Sequence, residues 1–408
     1  MIKIEIQDLN ENFEGIGEFE SKKVIVPGAL PDDYILASID QNKSNYIKAS
    51  ISEIIRPSEI RAKPPCIHFS ECGGCSLQYM EVNEYIKHKT NILKNLIKNL
   101  GFNPNVLQET ISVGPFARRR ASFKVENNKI GYYKAQTHQI FDIKECLVLE
   151  PEVLNLIPEF KCLIKQLKNI PKNIDVTLAD NGLDIIFYVE NEFELEDLEL
   201  LNKFADANNI LRISINQNGR IFPLIIKTYP KLIFDNIEVN LPENLFLQAS
   251  KKSQKLIIKL IIKYLAKYKK IADLYSGIGT YSFPLSEYAR LDMFEGDEKM
   301  VNAANNAAKN NNPHAKLRNL HLSPLTGQEI NNYDAVIINP PRNGAERQIR
   351  QIAASNIKKL VMVSCNHKTF KRDAEILKNA GFVLEEAVLI DQFYYTDHFE
   401  IFTSFKNC

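Results

Sequence analysis

The run Ile271-Ala272-Asp273-Leu274-Tyr275-Ser276-Gly277-Ile278-Gly279-Thr280 restricts the possible folds more than any other stretch. A short apolar strand that breaks into two closely spaced glycines and then a helix lets backbone approach a nucleotide-like ligand. Such a turn belongs at the carboxyl edge of an open, parallel α/β sheet. The Gly-x-Gly spacing also serves dinucleotides, so later strands must decide the ligand. Met293-Phe294-Glu295-Gly296-Asp297 ends a second apolar run with an acid able to hold both hydroxyls of a ribose. Tyr333-Asp334-Ala335-Val336-Ile337-Ile338 reads as a buried parallel strand, and Asn339-Pro340-Pro341-Arg342 holds its end open, because proline cannot continue a ladder. Val361-Met362-Val363-Ser364-Cys365-Asn366 ends a fourth run in a thiol, followed by a polar segment of helical spacing. A lone free cysteine usually fills a gap in a core. Asp273, Glu295, Asn339 and Cys365 at four strand ends are not explained by core packing alone.

With 408 residues and 45% hydrophobic content, the chain can bury two or three cores. Charges interrupt its amino terminus and no apolar run is long enough to cross a bilayer, so a soluble, cytoplasmic protein without a membrane partner is expected. A formal net charge of +1 advertises no nucleic-acid partner, so any such partner would have to be met by local patches. Segments 2–6, 23–26, 35–39 and 46–55, with a Pro27-Gly28 turn, predict a small β-barrel over 1–60. Small barrels often bind nucleic acid, although Glu5, Asp8, Glu11, Glu14, Glu18 and Glu20 make the first half of this one acidic.

Cys66-x5-Cys72-Gly73-Gly74-Cys75 then presents three thiols in a tight turn, and Cys146 is the nearest fourth. In an intracellular chain this points to a metal site before disulfides. Zinc sites usually come as two short-spaced pairs, whereas three clustered cysteines and a remote one favour an iron–sulfur cluster. An amphipathic helix is expected over 81–101, carrying Tyr85, Ile92, Leu93, Leu96 and Leu100 on one face and stopped by Gly101. Arg118-Arg119-Arg120 entering a strand, with Gly131-Tyr132-Tyr133-Lys134 on the next, could hold phosphates and stack bases, or could be an ordinary solvated edge. Segment 151–235 alternates helix and strand, with a hairpin at Asn181-Gly182, and a long helix is expected over 250–268.

Taken together, these residues resemble the RNA 5-methyluridine methyltransferase family, and within it the iron–sulfur branch acting on 23S ribosomal RNA. The resemblance runs over essentially the whole chain. Val24-Ile25-Val26-Pro27-Gly28-Ala29-Leu30-Pro31 is similar to the family's TRAM module; Phe246-Leu247-Gln248 is similar to the signature before its catalytic sheet. The resemblance implies a multidomain α/β protein: a TRAM or OB-like barrel at 1-60, an α+β iron–sulfur and RNA-binding region at 61-235, and a Rossmann-like class I methyltransferase domain at 236-408, on which the 81–101 helix could pack. It implies S-adenosylmethionine held by Gln248, Tyr275, Gly277, Gly279, Thr280, Glu295, Asn319 and Asn339. It further implies a 4Fe-4S cluster on Cys66, Cys72, Cys75 and Cys146, with Cys365 as nucleophile and Glu400, in His398-Phe399-Glu400, as base. The implied partner is RNA, 23S rRNA before tRNA, and the implied state is a monomer.

Three positions depart from the family. Asn339 stands where much of the family has aspartate, His367 replaces a proline after Asn366 and suggests a looser loop, and Gln392-Phe393-Tyr394-Tyr395-Thr396 lacks a common proline. His398 and Glu400, two apart, would share one side of a strand. Competing readings fare worse. An amino-group methyltransferase with Asn-Pro-Pro would place an aromatic where Arg342 stands and would leave Cys365 idle. A nicotinamide enzyme needs a further glycine after Gly279, and a non-catalytic assembly factor has no use for Cys365 and Glu400.

Overall fold

A computed structural model describes every residue except Gln136, Asp235, Phe246, Asn310, Asn311 and Cys408. Its contacts divide the chain into two compact units. One comprises Met1–Ser70, Gly74–Ile92 and Tyr395–Asp397; the other comprises Glu71–Gly73, Leu93–Tyr394 and His398–Cys408.

The first unit contains a closed barrel, ordered Ile2–Leu9, Glu14–Phe19, Lys22–Pro27, Tyr46–Arg56, Tyr34–Asn42 and back to the first strand. Period-two alternation decides its inside: Ile2, Ile4 and Ile6 are buried while Lys3 and Glu5 face solvent. Closure leaves no open edge to recruit other strands. The exit is clamped by Asp33, fully buried, whose carboxylate accepts the backbone N–H groups of Leu30 at 2.7 Å and Ser58 at 2.8 Å and pairs with Arg61. The amphipathic helix runs Val82–Asn99, and Gly101 follows it in the left-handed region, as a helix stop requires. The boundary between the units falls within this helix.

Among the described residues, the second unit holds two large sheets and the two-stranded ribbon Lys231–Phe234/Ile237–Asn240. The first is ordered Arg220–Ile226, Ile210–Gln217, Leu183–Val189, Asn173–Leu178, Arg120–Glu126, Lys129–Tyr133, Ile140–Asp142. Phe160 of the helix Leu156–Ile164 and Phe204 of the helix Leu195–Ala207 pack with Phe123 and Phe187 from the strands. Gly131 is dictated by close approach: a Cβ there would lie 2.0 Å from the Phe141 carbonyl oxygen. Arg212, 1% exposed, is bidentate to Asp184 at 2.9 and 2.7 Å and also donates to the Leu241 carbonyl.

The three consecutive arginines do not form one basic surface. Arg118 is exposed and Arg120 half-buried, but Arg119 is 1% exposed. Strand alternation puts Arg119 on the inward face with Ala121, Phe123 and Val125. It is therefore an interior residue instead of a phosphate contact.

The second sheet is ordered His314–Leu317, Arg290–Glu295, Lys270–Leu274, Ala335–Ile338, Lys359–Ser364, Glu400–Asn407, Phe382–Asp391, Ile111–Ser112. Its first five strands are parallel, and Glu400–Asn407 runs antiparallel to both neighbours. The wholly apolar run Ala335–Ile338 is buried throughout, as expected of a strand covered on both faces. The helices Lys251–Leu265, Glu298–Ala308, Glu346–Ala353 and His367–Asn379 accompany this sheet in sequence. Among the described residues no helix is long and apolar enough to cross a membrane.

Candidate active site

Strand order reverses at Lys270–Leu274, whose neighbours lead outward in opposite directions, and ligands of open α/β sheets bind at the carboxyl side of that point. Three residues in the following turn have left-handed backbone: Tyr275 (φ 58°), Gly277 (φ 57°) and Gly279 (φ 87°). Gly279 donates to the Ser276 carbonyl at 3.0 Å, and a Cβ on it would come 2.9 Å from the Phe283 ring. At Gly277 a Cβ would meet nothing within 4 Å, so this glycine faces open space. Its N–H donates to Glu295 Oε2 at 2.9 Å, while Glu295 Oε1 accepts the N–H groups of Gly296 and Asp297 at 2.7 and 3.0 Å. Glu295 thus ties two loops together. Thr280 is half-buried where the glycine turn ends. Asn319 is exposed beside Gly296, its Oδ1 accepting the N–H of His321 at 3.1 Å. Phe246 lies outside the described residues, but Gln248 is buried.

Asp273 and Ser276 suit a polar ligand with donors. Asp273 is fully buried; Ser282 donates to its Oδ2 at 2.7 Å, yet Oδ1 and the Ser276 hydroxyl have no hydrogen-bond partner among the described residues. Burial pushes the Asp273 carboxyl up to about 7, partly offset by the Ser282 hydroxyl. Orphaned buried polar atoms beside an open glycine fit a bound molecule carrying an ammonium or hydroxyl group.

Cys365 follows the last residue of Lys359–Ser364, and Glu400 opens the neighbouring antiparallel strand. Ser364 pairs with Ile401, so one further step of register sets Cys365 against Glu400 at the same sheet edge. Glu400 is 2% exposed, and burial pushes its carboxyl up to about 8 against the opposing pull of Gln392 and Arg342. The Cys365 thiol is raised by burial and then by the Glu400 charge, while Arg342 acts the other way. Arg342 is thus the cation that favours both charged forms, and sequence reasoning assigned it no role. Its signal was a cation directly after the strand-ending Asn339-Pro340-Pro341.

Buried amides join these groups. Gln248 Nε2 donates to the Tyr281 hydroxyl at 3.0 Å, and Asn339 Nδ2 reaches the same oxygen at 3.4 Å. Gln392 Nε2 donates to Gln248 Oε1 at 3.2 Å and to Glu400 Oε2. Arg119 supports the other side, donating from Nε to the Gln248 carbonyl at 2.9 Å and from Nη2 to Gln254 at 2.6 Å. The structure therefore connects Gln248, Asn339 and Glu400 through Tyr281 and Gln392, neither of which the sequence marked as functional.

Two local expectations change. His398 is exposed and precedes the strand that begins at the buried Glu400, so the two do not share a strand face. The loop after Cys365 is held despite its missing proline. Asn366 caps the helix His367–Asn379, accepting from Lys368 N–H at 3.0 Å and donating to the Arg342 carbonyl at 3.0 Å, and the His367 ring stacks on Phe399.

The cysteine set concerns a second expected site. Cys66, Cys72, Cys75 and Cys146 are half-buried, and Cys72 and Cys146 pack against the core around Phe160. Among the described residues, no three His, Cys, Asp or Glu side chains gather into a group able to hold a metal.

The family model for tRNA (uracil-5-)-methyltransferases matches residues 231–406. The chain is 31% identical to an uncharacterized RNA methyltransferase of Rhizobium meliloti (strain 1021), with 97% of each chain covered. It is 27% identical to a 23S rRNA (uracil(1939)-C(5))-methyltransferase of Vibrio campbellii, over 99% of this chain and 95% of that protein. Its fold matches that of a Pyrococcus abyssi tRNA (uracil-54, C5)-methyltransferase crystallised with S-adenosyl-L-homocysteine, with a TM-score of 0.78, 21% identity and coverage of 99% and 100% of the two chains. On the site geometry and these matches together, the chain belongs to the RNA uracil-C5 methyltransferase family.

Proposed function

We propose that this chain transfers the methyl group of S-adenosylmethionine to C5 of a uridine in 23S rRNA, with Cys365 as nucleophile and Glu400 as base. The observation that carries the reading is the register that sets Cys365 against Glu400 at the sheet edge bearing the glycine turn. Gln248, Tyr275, Gly277, Gly279, Thr280, Glu295, Asn319 and Asn339 would hold the cofactor, which when bound supplies an electrophilic methyl group. Uracil C5 is too electron-poor to take that methyl directly. Addition of the Cys365 thiolate at C6 moves electron density to C5, dividing one hard step into easier ones. Glu400 then removes the C5 proton, the C5–C6 double bond re-forms, and Cys365 leaves. Arg342 serves the first step by favouring the thiolate and the last by favouring the carboxylate.

The barrel at 1-60 and the region 61-235 would hold the RNA. Tyr133, 40% exposed with the Lys124 ammonium 5.5 Å above its ring, offers a stacking surface beside a cation. A uridine in a loop or flipped out of a helix is required, since C5 of a stacked base is out of reach. The 23S assignment is supported by the Vibrio relatives, and tRNA is the alternative. We also propose a cytoplasmic monomer. The spacing of Cys66, Cys72, Cys75 and Cys146 is the sole support for an iron–sulfur cluster, and no step here depends on one. Incubating the protein with S-adenosylmethionine and either 23S rRNA or tRNA lacking 5-methyluridine, then digesting and mapping the product, tests the proposal. Product at an atom other than C5, or formation by Cys365→Ala, would overturn it.

A further inference from the structure

Gln392 takes no part in bond making in the reaction above, yet it is buried and touches the base. It directly follows the strand Phe382–Asp391, in which Ile390 pairs with Glu400. Its amide nitrogen carries two protons, and both are used, one on Glu400 Oε2 and one on Gln248 Oε1. Its carbonyl oxygen lies 2.6 Å from the Ser253 hydroxyl, in the first turn of the helix Lys251–Leu265. This arrangement permits one amide orientation. With Glu400 ionised, as proton removal requires, a turned amide would set the Gln392 oxygen against the carboxylate and Gln248 oxygens with no proton between them. Among the described residues, Glu400 Oε1 receives no hydrogen bond.

We propose that Gln392 is a positioning residue for proton removal: its clamped amide fixes Oε2 of Glu400 and so presents Oε1 to the C5 proton. The inference rests on the reading of Glu400 as base. In the step concerned, the carboxylate takes the C5 proton, the C5–H electron pair becomes the C5–C6 double bond, and the C6–Sγ bond breaks to release the Cys365 thiolate. A donor on Oε2 also favours the charged base against its burial. Cys365, Arg342 and Tyr281 are the other titratable or charged groups facing Glu400.

The test uses the full chain, S-adenosylmethionine and a uridine-containing substrate RNA, comparing wild type with Gln392→Met and Glu400→Gln. The readouts are the denaturation-resistant protein–RNA adduct and the single-turnover rate from pH 6 to 9. Methionine keeps the volume and removes the donor, so Q392M should accumulate methylated adduct about tenfold above wild type, with the acid limb of its rate profile raised by about one pH unit. A purely structural role would lower the rate without moving that limb. Wild-type adduct levels and an unmoved limb in Q392M, with adduct accumulating in E400Q, would overturn the role of Gln392 alone. Failure of E400Q to accumulate adduct would instead overturn Glu400 as base. Should Q392M lose its cooperative melt, Ser253→Ala, which unlocks the amide, should raise adduct about threefold, and no rise would count against the proposal.

Discussion

Replacing Glu400 by glutamine should stabilise this protein, and the gain should depend on pH in a way the buried carboxyl dictates. Glu400 is fully buried with a carboxyl pushed up to about 8, whereas an unfolded chain releases that proton near about 4.3. Between those values the folded state holds a proton that the unfolded state has lost, so wild-type stability falls as pH rises. Over the whole interval the loss is roughly 3 to 5 kcal/mol, at 1.36 kcal/mol per unit and with allowance for relaxation around the buried charge. Glutamine is neutral at every pH and keeps an oxygen for the Gln392 donor. Glu400→Gln should therefore match wild type near pH 5 and exceed it at pH 8.5. Unfolding entropy of about 2.1 cal/mol/K per residue over a unit of roughly 320 residues converts the gain to about 4 to 8 °C in Tm. Thermal melts of both proteins at pH 5, 7 and 8.5 provide the measurement. A Tm difference that stays constant with pH, or one that shrinks as pH rises, would refute the claim that Glu400 is buried protonated.

Further outcomes follow from the same geometry. Arg212→Met strands the buried Asp184 carboxylate and should cost about 3 to 5 kcal/mol, read as an earlier unfolding midpoint in denaturant. Gly279→Ala forces a side chain into left-handed backbone and against Phe283; about 1 to 3 kcal/mol of strain should appear as weaker S-adenosylmethionine binding by calorimetry. Arg118→Ala should weaken RNA binding and flatten its salt dependence, whereas Arg119→Met should instead lower Tm, since only Arg118 of the two is exposed. Iron and sulfide analysis after anaerobic purification will show whether Cys66, Cys72, Cys75 and Cys146 hold a cluster; stoichiometric iron that disappears in Cys72→Ser is the outcome expected of the sequence spacing.

Much of the catalytic sheet was legible because its signals are local. Buried parallel strands are continuous apolar runs, and each ends where a polar or reactive residue begins, as at Asp273, Glu295, Asn339 and Cys365. Ser250 and Asn366 mark helix starts for the same reason, each supplying an oxygen to orphaned backbone N–H groups. The position of Arg119 was also available, since it shares the period-two face of Phe123 and Val125, but three adjacent arginines suggest a surface more strongly than alternation suggests an interior. The spacing of the cysteines stands as a reading of the sequence alone, since no group of three His, Cys, Asp or Glu side chains gathers among the described residues.

The sequence by itself determined where strands end and which chemical groups stand there, because backbone preference and apolar periodicity act over a few residues. Only the tertiary structure decided which of those groups meet. The junction of Glu400, Gln392, Gln248 and Tyr281 draws on segments far apart in the chain, and the antiparallel insertion of Glu400–Asn407 between Lys359–Ser364 and Phe382–Asp391 brings the Glu400 carboxyl to the edge that carries Cys365. The raised carboxyl of Glu400 comes from the same cause: a charge becomes costly only when folding removes its water.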